Sequence, residues 1–348
     1  MINTRIRTIV AIAFAAMACE CAADVPINGR IVAGNCTFFT AGINASASIQ
    51  RIAAGPDGNM WFTEYFSNSI GRITPDGVVT EFSDGITPGG GPFAITAGPD
   101  GNVWFSEVNA NYVGRITPDG TVTEFGVGGD SLFYIAGIVT GPDGNLWFTN
   151  YYGNAIGHIS PQGDNVKTFT TGVTVQSGPY SIALGSDGNL WFTEYEIGGI
   201  GRITVDGTVT EFRGNIPTNA EPRNIAAALD GALWFTYENN VGGIGEITTA
   251  GDVTLYNTGS VGFGPAGIAI DSGNNIWFSG GSADDNAFYP QISLMDRSGA
   301  TDIDECATNV SNYSEDLTVG PDGNLWFTNY KVVGRLNVRI FKNGFDSP

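Results

Sequence analysis

Acidic side chains recur at one position of the chain where they could bind a cation. Glu64, Glu107 and Glu194 each stand three residues after a tryptophan, in the sequence Trp-Phe-Thr-Glu or Trp-Phe-Ser-Glu. Hard cations such as Mg²⁺ take carboxylate oxygens as ligands. If the fold brings these positions to one face, they form a partial acidic ring for a cation or a cationic ligand. The alternative is that they are polar residues that cap strand ends.

A second group of charged residues surrounds Trp234. Glu221-Pro222-Arg223 precedes this tryptophan, and Glu238 follows it by four residues. Glu221 and Glu238 could hold a divalent metal ion, and all three charged residues are candidates for catalysis. Arg223 would repel a metal cation and could pair with a carboxylate instead. The sequence therefore leaves open both a metal site and a salt-bridge cluster.

Histidine chemistry has little support in the sequence. The sole histidine, His158, lies in Ile-Gly-His-Ile, where other parts of the chain have Ile-Gly-Arg-Ile, and we interpret it as scaffold. No CxxC or HExxH motif occurs, and no Ser-His-Asp set is evident. A carboxylate could replace an imidazole as general base only if burial raised its pKa.

The candidate residues lie in a unit that is repeated seven times. Most copies carry Gly-Pro-Asp-Gly-Asn before a Trp-Phe pair, and then Ile-Gly-Arg-Ile and Thr-Val-Thr-Glu-Phe. A fixed period of this length is typical of a repeat architecture. The seven tryptophans, spaced by 43 or 44 residues and by 49 in the last interval, are Trp61, Trp104, Trp147, Trp191, Trp234, Trp277 and Trp326.

Each unit predicts four short antiparallel strands. In the second unit these are Phe93–Ala97, Val103–Ser106, Tyr112–Thr117 and Thr121–Phe125, with Pro-Asp-Gly turns after the first and the third. Four strands in about 43 residues are typical of a propeller blade. We therefore predict an all-β, seven-bladed β-propeller with four-stranded antiparallel blades.

The N-terminus is predicted to close the ring. The last unit ends after its third strand, near Gly334–Val338, and Cys36–Gly42 resembles the missing fourth strand. We expect Cys36–Thr40 to pair at the outer edge of the seventh sheet, which removes an open edge. The propeller then spans 35–340 without an internal boundary, and 341–348 form a short exposed C-terminal tail.

Composition excludes several classes of protein and partner. The chain of 348 residues contains 50 glycines, which argues against a helical bundle. A hydrophobic share of 42% with 14% charged residues argues against disorder. The net charge of −20 argues against nucleic acid and anionic membrane surfaces as partners. We expect a monomer.

The first segment has the pattern of an export signal. Arg5 and Arg7 precede an apolar run, Thr8–Ala18, that is too short to span a bilayer, and cleavage after Ala23 makes 1–23 a signal peptide. The mature protein is then secreted or periplasmic, and no other stretch predicts a membrane span. The alternatives are a lipoprotein anchored at Cys19 or a buried N-terminal helix.

Two cysteines, Cys36 and Cys306, remain after signal removal. Export favours a disulfide between them, and Cys306 lies in the one lengthened connection, which could exist to reach Cys36. Alternatively, the two could lie at opposite faces and remain thiols.

The repeat resembles that of the streptogramin B lyase (virginiamycin B lyase) family. The resemblance rests on Gly-Pro-Asp-Gly-Asn-Leu-Trp-Phe-Thr-Glu, Ile-Gly-Arg-Ile and Gly-Thr-Val-Thr-Glu-Phe, and covers roughly 35–338. It implies a seven-bladed propeller and a lyase that opens a cyclic depsipeptide antibiotic by elimination at an ester. It also implies Mg²⁺ and a histidine general base on the face that carries the loops between fourth and first strands.

The implied histidine is missing. In the family it lies in a Glu-Pro-His-Gly-Ile type of segment at the start of a first strand. Glu221–Ile225 keeps this pattern with Arg223 in place of the histidine, and Glu238 stands where the lyase carries a second functional glutamate. The seven positions that correspond to the histidine are Gln50, Phe93, Ala136, Tyr180, Arg223, Ala266 and Glu315.

Specificity is expected on the face with the variable loops. Connections between fourth and first strands differ in length and content, whereas the Pro-Asp-Gly turns are nearly identical. Phe93 and Tyr180 at first-strand starts add aromatic contact area. We predict that Phe93, Tyr180, Arg223 and the three glutamates of the acidic ring bind a small molecule, peptide or protein. The first hypothesis is an exported binding or interaction protein, and the alternative is a metal-assisted streptogramin B lyase, a carbon–oxygen lyase of antibiotic resistance.

Overall fold

Each Trp-Phe repeat folds into one antiparallel sheet. The computed structural model describes residues 36–128, 134–238, 242–258, 262–284, 287–295, 301–304 and 314–338. These residues all lie in one compact unit, Val32–Pro348, and they contain strands and turns but no helix. The prediction of an all-β, seven-bladed propeller with four-stranded blades is confirmed.

The strands are numbered in chain order. The N-terminal strand and blades one to three comprise β1 (Cys36–Phe39); β2 (Ile49–Ala54), β3 (Met60–Glu64), β4 (Ser69–Ile73), β5 (Val79–Phe82); β6 (Pro92–Ala97), β7 (Val103–Glu107), β8 (Tyr112–Ile116), β9 (Val122–Gly126); β10 (Ile135–Thr140), β11 (Leu146–Asn150), β12 (Ala155–Ile159), β13 (Lys167–Phe169). Blades four to seven comprise β14 (Pro179–Leu184), β15 (Leu190–Glu194), β16 (Gly199–Ile203), β17 (Val209–Phe212); β18 (Pro222–Ala227), β19 (Leu233–Tyr237), β20 (Gly243–Ile247), β21 (Val253–Asn257); β22 (Gly262–Phe263), β23 (Ile268–Ile270), β24 (Ile276–Asp284), β25 (Ala287–Met295), β26 (Thr301–Asp304); β27 (Ser314–Val319), β28 (Leu325–Asn329), β29 (Val332–Leu336).

The repeated tryptophan explains most of the motif. Trp61 is fully buried on the second strand of blade one, and its indole N–H donates to Asp57 of the preceding turn over 3.0 Å. One ring face stacks on Phe82 of the fourth strand at 5.6 Å, and the Arg72 guanidinium covers both rings. Gly71 is required beside them, because a Cβ there would lie 2.1 Å from the ring of Phe62.

The ring is closed as the sequence predicts. β1 pairs antiparallel with β29 as the outermost strand of the seventh blade, with Cys36 opposite Leu336 and Phe39 opposite Val333. Phe39 stacks on Trp326 with a centroid distance of 5.5 Å, and so replaces the fourth-strand phenylalanine of the other blades. The N-terminal strand therefore completes both the hydrogen bonding and the aromatic stack of this blade.

The structure tests the predicted disulfide at only one of its two cysteines. Cys36 is disulfide-bonded. Its predicted partner, Cys306, lies outside the described residues, so the Cys36–Cys306 pairing stays a prediction. The predicted signal peptide 1–23, the alternative anchor Cys19 and the tail 341–348 also lie outside the described residues.

Removing the aromatic ring of the closing strand should weaken the whole propeller. Phe39→Ala deletes the stack on Trp326, and we expect the free energy of unfolding to fall by about 2 kcal/mol, as for a partly buried Phe→Ala change. Phe38→Ala, on the same strand but 36% exposed, is the matched control and should cost less. Guanidinium unfolding measures both, and equal losses would contradict the closing role of Phe39.

The disulfide prediction is checked by counting thiols. The chain from residue 24 onward, unfolded without reductant, should show no free thiol, and it should show two after reduction. Reduction should also destabilise the fold by about 2–4 kcal/mol, because the bridge restricts the unfolded chain. Two thiols before reduction would show that Cys36 and Cys306 are not bonded to each other.

Candidate functional site

One face of the ring gathers most of the predicted site residues. The sheet register places the start of each inner strand beside the end of the second strand, as in the pairs Pro92 with Glu107, Pro179 with Glu194, and Pro222 with Tyr237. We call this side the loop face, because the connections between blades lie there. The opposite side carries the Pro-Asp-Gly turns.

A β-bulge near the start of the inner strand sets the direction of the side chain of its second residue. The register of β6 against β7 shifts between Pro92 and Ile95, and such bulges re-aim side chains. The Ala94 N–H inside the bulge donates to Ser106 Oγ over 2.9 Å. In the preceding blade the Thr63 hydroxyl donates to the Phe93 carbonyl over 2.7 Å. The scaffold therefore fixes Phe93, and Thr149 and Thr193 fix Tyr180 and Arg223 in the same way.

The three glutamates of the predicted acidic ring are enclosed. Glu64, Glu107 and Glu194 are 0% exposed. Each lies against a glutamate of the outermost strand of its own blade, in the pairs Glu64–Glu81, Glu107–Glu124 and Glu194–Glu211.

These carboxyl pairs hold the loop that leads into each blade. The Thr87 hydroxyl donates to Glu124 over 2.7 Å, and its N–H also donates to Glu124. Thr174 makes the same two bonds to Glu211, each 2.6 Å long. The carboxyl pairs therefore fix the connecting loops by hydrogen bonds from the buried side of each loop.

Burial changes the charge of these side chains. It raises the pKa of Glu107 to about 9 and that of Glu194 to about 8, and the neighbouring glutamate adds to both shifts. Burial also raises the pKa of Glu64 to about 7. These shifts favour the protonated form of Glu107 and Glu194 at neutral pH, which avoids a second negative charge beside Glu124 and Glu211. The structure gives the acidic ring no exposed carboxylate at these positions, and their contact with a ligand stays a prediction.

The structure brings Glu221, Arg223 and Glu238 together. Arg223 Nη1 donates to Glu238 Oε1 over 2.7 Å, and the Glu238 N–H donates to the Glu221 carbonyl over 3.3 Å. Glu221 has a left-handed backbone, with φ of 52°, and burial and the charge of Glu238 raise its pKa. The arrangement is the salt-bridge cluster that the sequence left open.

This cluster does not fit a Mg²⁺ site. The Arg223 guanidinium forms a salt bridge with the Glu238 carboxylate, so a metal ion at Glu238 would have to displace Arg223. Among the described parts of the chain, no group of three or more His, Cys, Asp or Glu side chains could hold a metal ion.

The sequence analysis identified Tyr180 but missed four further tyrosines that the structure gathers around it on the loop face. Tyr151 packs edge-on against Tyr152 at 5.1 Å, against Tyr134 at 5.9 Å and against Tyr180 at 6.2 Å. Tyr195 lies 5.7 Å from Tyr180. We call the five residues the tyrosine patch: Tyr134, Tyr151, Tyr152, Tyr180 and Tyr195.

The inner end of the patch carries a cation. The Arg51 guanidinium lies 5.2 Å from the Phe93 ring centroid and 5.7 Å from that of Tyr180. Arg51 Nη2 also donates to the Tyr180 hydroxyl over 3.4 Å. Phe93 and Tyr180, two predicted ligand contacts, thus belong to this aromatic cluster.

A sequence signal for the patch did exist. The fourth residue after the tryptophan is tyrosine in four repeats: Tyr65, Tyr151, Tyr195 and Tyr330. Glu238 takes that position in the fifth repeat. In two of these repeats the residue before the tyrosine is one of the enclosed glutamates, Glu64 or Glu194, which our sequence analysis selected in its place.

Comparison with known proteins identifies the family. The family model described as the virginiamycin B lyase family matches residues 25–213 and 134–335. The chain belongs to the virginiamycin B lyase family. Among curated proteins, none matches significantly.

Three solved structures of lyases are similar over most of their length. A streptogramin B lyase is 28% identical, with a TM-score of 0.77, and the match covers 88% of this chain and 99% of that one. The virginiamycin B lyase of Staphylococcus aureus is 30% identical, with a TM-score of 0.76 and coverage of 87% and 99%. A catalytically inactive histidine-to-alanine variant of the S. aureus enzyme, with quinupristin, is 29% identical, with a TM-score of 0.77 and the same coverage.

The single histidine of this virginiamycin B lyase family member lies in the scaffold. His158 is 6% exposed on β12, and its ring lies 4.8 Å from Trp147 and 5.8 Å from Phe169. It takes the place that arginine has in the Trp-Phe stacks of other blades, such as Arg72. Burial lowers its pKa.

The carboxyl pairs predict an unusual pH dependence. Glu107 has its folded-state pKa raised from 4.5 to about 9, so its stabilising contribution is complete below pH 4.5 and is lost as pH rises towards 9. Glu107→Gln keeps a donor to Glu124 without a titrating proton. We expect its melting temperature to fall less than that of wild type between pH 5 and pH 9.

Asp84→Asn, an exposed change on the same connecting loop, is the control. It should leave the pH profile of melting unchanged. Parallel profiles for wild type and Glu107→Gln would show that Glu107 is ionised in the folded protein.

Proposed function

We propose that this family member is an exported ligand-binding propeller that holds its ligand on the tyrosine patch and lacks lyase activity. The observation that carries the proposal is the packed set of tyrosine rings at the loop face. Tyr152, at its rim, is 39% exposed. Rigid aromatic side chains offer a large contact area at low cost in conformational entropy.

Hydrogen bonds prepare the patch for binding. Tyr151 donates its hydroxyl to Glu196, and Tyr195 donates to Glu221 over 3.4 Å. Together with the edge-on ring contacts, these bonds fix the rings before a ligand arrives, which lowers the entropy lost on binding.

The position of the histidine supports a binding role. The S. aureus enzyme is inactive when a histidine is replaced by alanine, as the description of that structure states. Here the only imidazole packs against the stacked rings of Trp147 and Phe169 inside blade three. A general base must reach the proton that it removes, and His158 is enclosed by the scaffold.

Two observations bear on location. The bonded state of Cys36 supports an oxidising compartment, in agreement with a signal peptide at 1–23 and with a secreted or periplasmic protein. Within the described ranges, the fold includes no helix with the length and apolar character to cross a membrane.

Lyase activity on streptogramin B antibiotics is the second candidate function. Family membership and the contact of Glu221, Arg223 and Glu238 favour it. In that case Glu221, whose pKa burial raises, would take the role of the missing base.

Incubation with quinupristin separates the two functions. Wild type, with Mg²⁺ or with a chelator, should leave the antibiotic cyclic, because its one imidazole, His158, is enclosed in blade three. Chromatography that resolves the cyclic from the linear form measures this, and the S. aureus enzyme is the positive control. If wild type opens the ring and Glu221→Gln and Glu238→Gln both lose this activity, the protein is a lyase and a carboxylate supplies its base.

A further inference from the structure

The tyrosine patch has a rim of carboxylates. Glu196 accepts a hydrogen bond from Tyr151, and Glu221 accepts one from Tyr195. Glu238 lies close enough to raise the pKa of Tyr195, after the larger effect of burial. Because Arg223 pairs with Glu238, the rim keeps negative charge at Glu196 and Glu221, in a chain whose net charge is −20.

The phenols of Tyr151 and Tyr195 remain neutral. Burial raises the pKa of Tyr151 and that of Tyr195, and the neighbouring glutamates raise both further. Neutral tyrosine rings that donate to carboxylates present electron-rich faces, and such faces attract cations.

The protein already places a cation on this cluster. Arg51, 7% exposed, lies over Phe93 and Tyr180 at the inner end. The same contact recurs in the scaffold, where the Arg115 guanidinium lies 5.8 Å from the Trp104 ring and 5.4 Å from the Phe125 ring. These contacts show that the rings accept a weakly hydrated, delocalised cation.

Charge and hydration decide between ligand classes. An anionic ligand would be repelled by the carboxylates of Glu196 and Glu221. A neutral ligand would gain only apolar contact with the rings. A primary ammonium group would lose its strongly bound water on an aromatic surface. The carboxylate oxygens that could replace that water already accept hydrogen bonds from Tyr151 and Tyr195. An alkylated ammonium group has few N–H donors to satisfy and keeps its charge.

We propose that the tyrosine patch recognises an alkylated ammonium group, such as a trimethylammonium group, held over the faces of Tyr151 and Tyr152 with Glu196 and Glu221 supplying opposite charge. This inference rests on the proposed binding function, whose site it uses. It adds the chemical class of the ligand.

Titration with three small probes tests the inference on the folded protein. The probes are choline, its neutral carbon isostere with a tert-butyl group in place of the trimethylammonium group, and ethanolamine. We expect choline to bind roughly tenfold more tightly than the other two, as a cation–aromatic contact predicts. Calorimetry or NMR titration measures this.

Variants locate the site. Tyr152→Ala and Glu196→Gln should each weaken choline binding roughly fivefold or more with only a small fall in melting temperature, because both side chains lie at the exposed edge of the patch. Leu229→Ala, at a 71% exposed residue on the turn face, is the control and should bind as wild type does.

The outcomes separate this inference from the proposed function. Equal binding of choline and its neutral isostere would overturn the cation preference and leave a binding surface in place. Ethanolamine binding as tightly as choline would overturn the preference for an alkylated group. Failure of choline to bind, or binding unaffected by Tyr152→Ala and Glu196→Gln, would overturn the site. Ring opening of quinupristin would refute only the absence of lyase activity.

Discussion

The buried tryptophan of each repeat sets the register on which the rest of the molecule depends. In blade two, the Trp104 indole is held by Asp100 of the preceding turn and is covered by Phe125 of the fourth strand, so the second strand cannot shift along its neighbours. Two residues on, Ser or Thr reaches the next blade, as Thr63 does to Phe93. In blades one and four the third residue is a buried glutamate, Glu64 or Glu194, and the fourth is a tyrosine, Tyr65 or Tyr195. A fixed indole thus determines which side chain meets solvent.

The buried carboxyl pairs show how the scaffold and the loop face are joined. A pair such as Glu107–Glu124 avoids two adjacent charges because one partner keeps its proton, and the charged partner accepts bonds from the loop at Thr87. These bonds fix the connecting loops, so the position of the loop face depends on carboxyl groups that the scaffold encloses.

The propeller and its closure follow from the sequence because the repeat constrains them twice, through the tryptophan period and through the absence of a fourth strand in the last unit. The site follows less well, because it depends on contacts between side chains that are far apart in the chain. The Glu107–Glu124 pair joins residues 17 positions apart across an intervening strand, and strand patterns do not show whether such a carboxyl is enclosed. The same limit hides the contact of Tyr134 with Tyr152, although the repeated tyrosine itself can be read from the sequence.

Catalysis and binding need different groups at the place where a ligand arrives. An acid or base must titrate near the working pH and must reach the ligand. Two carboxyls whose pKa values lie near that range, Glu64 at about 7 and Glu194 at about 8, are 0% exposed and hold the scaffold. The loop face instead presents tyrosines such as Tyr151, whose pKa burial raises, so they stay neutral donors. Since a fold does not determine its chemistry, this distribution of titrating groups favours a surface that holds a ligand unchanged.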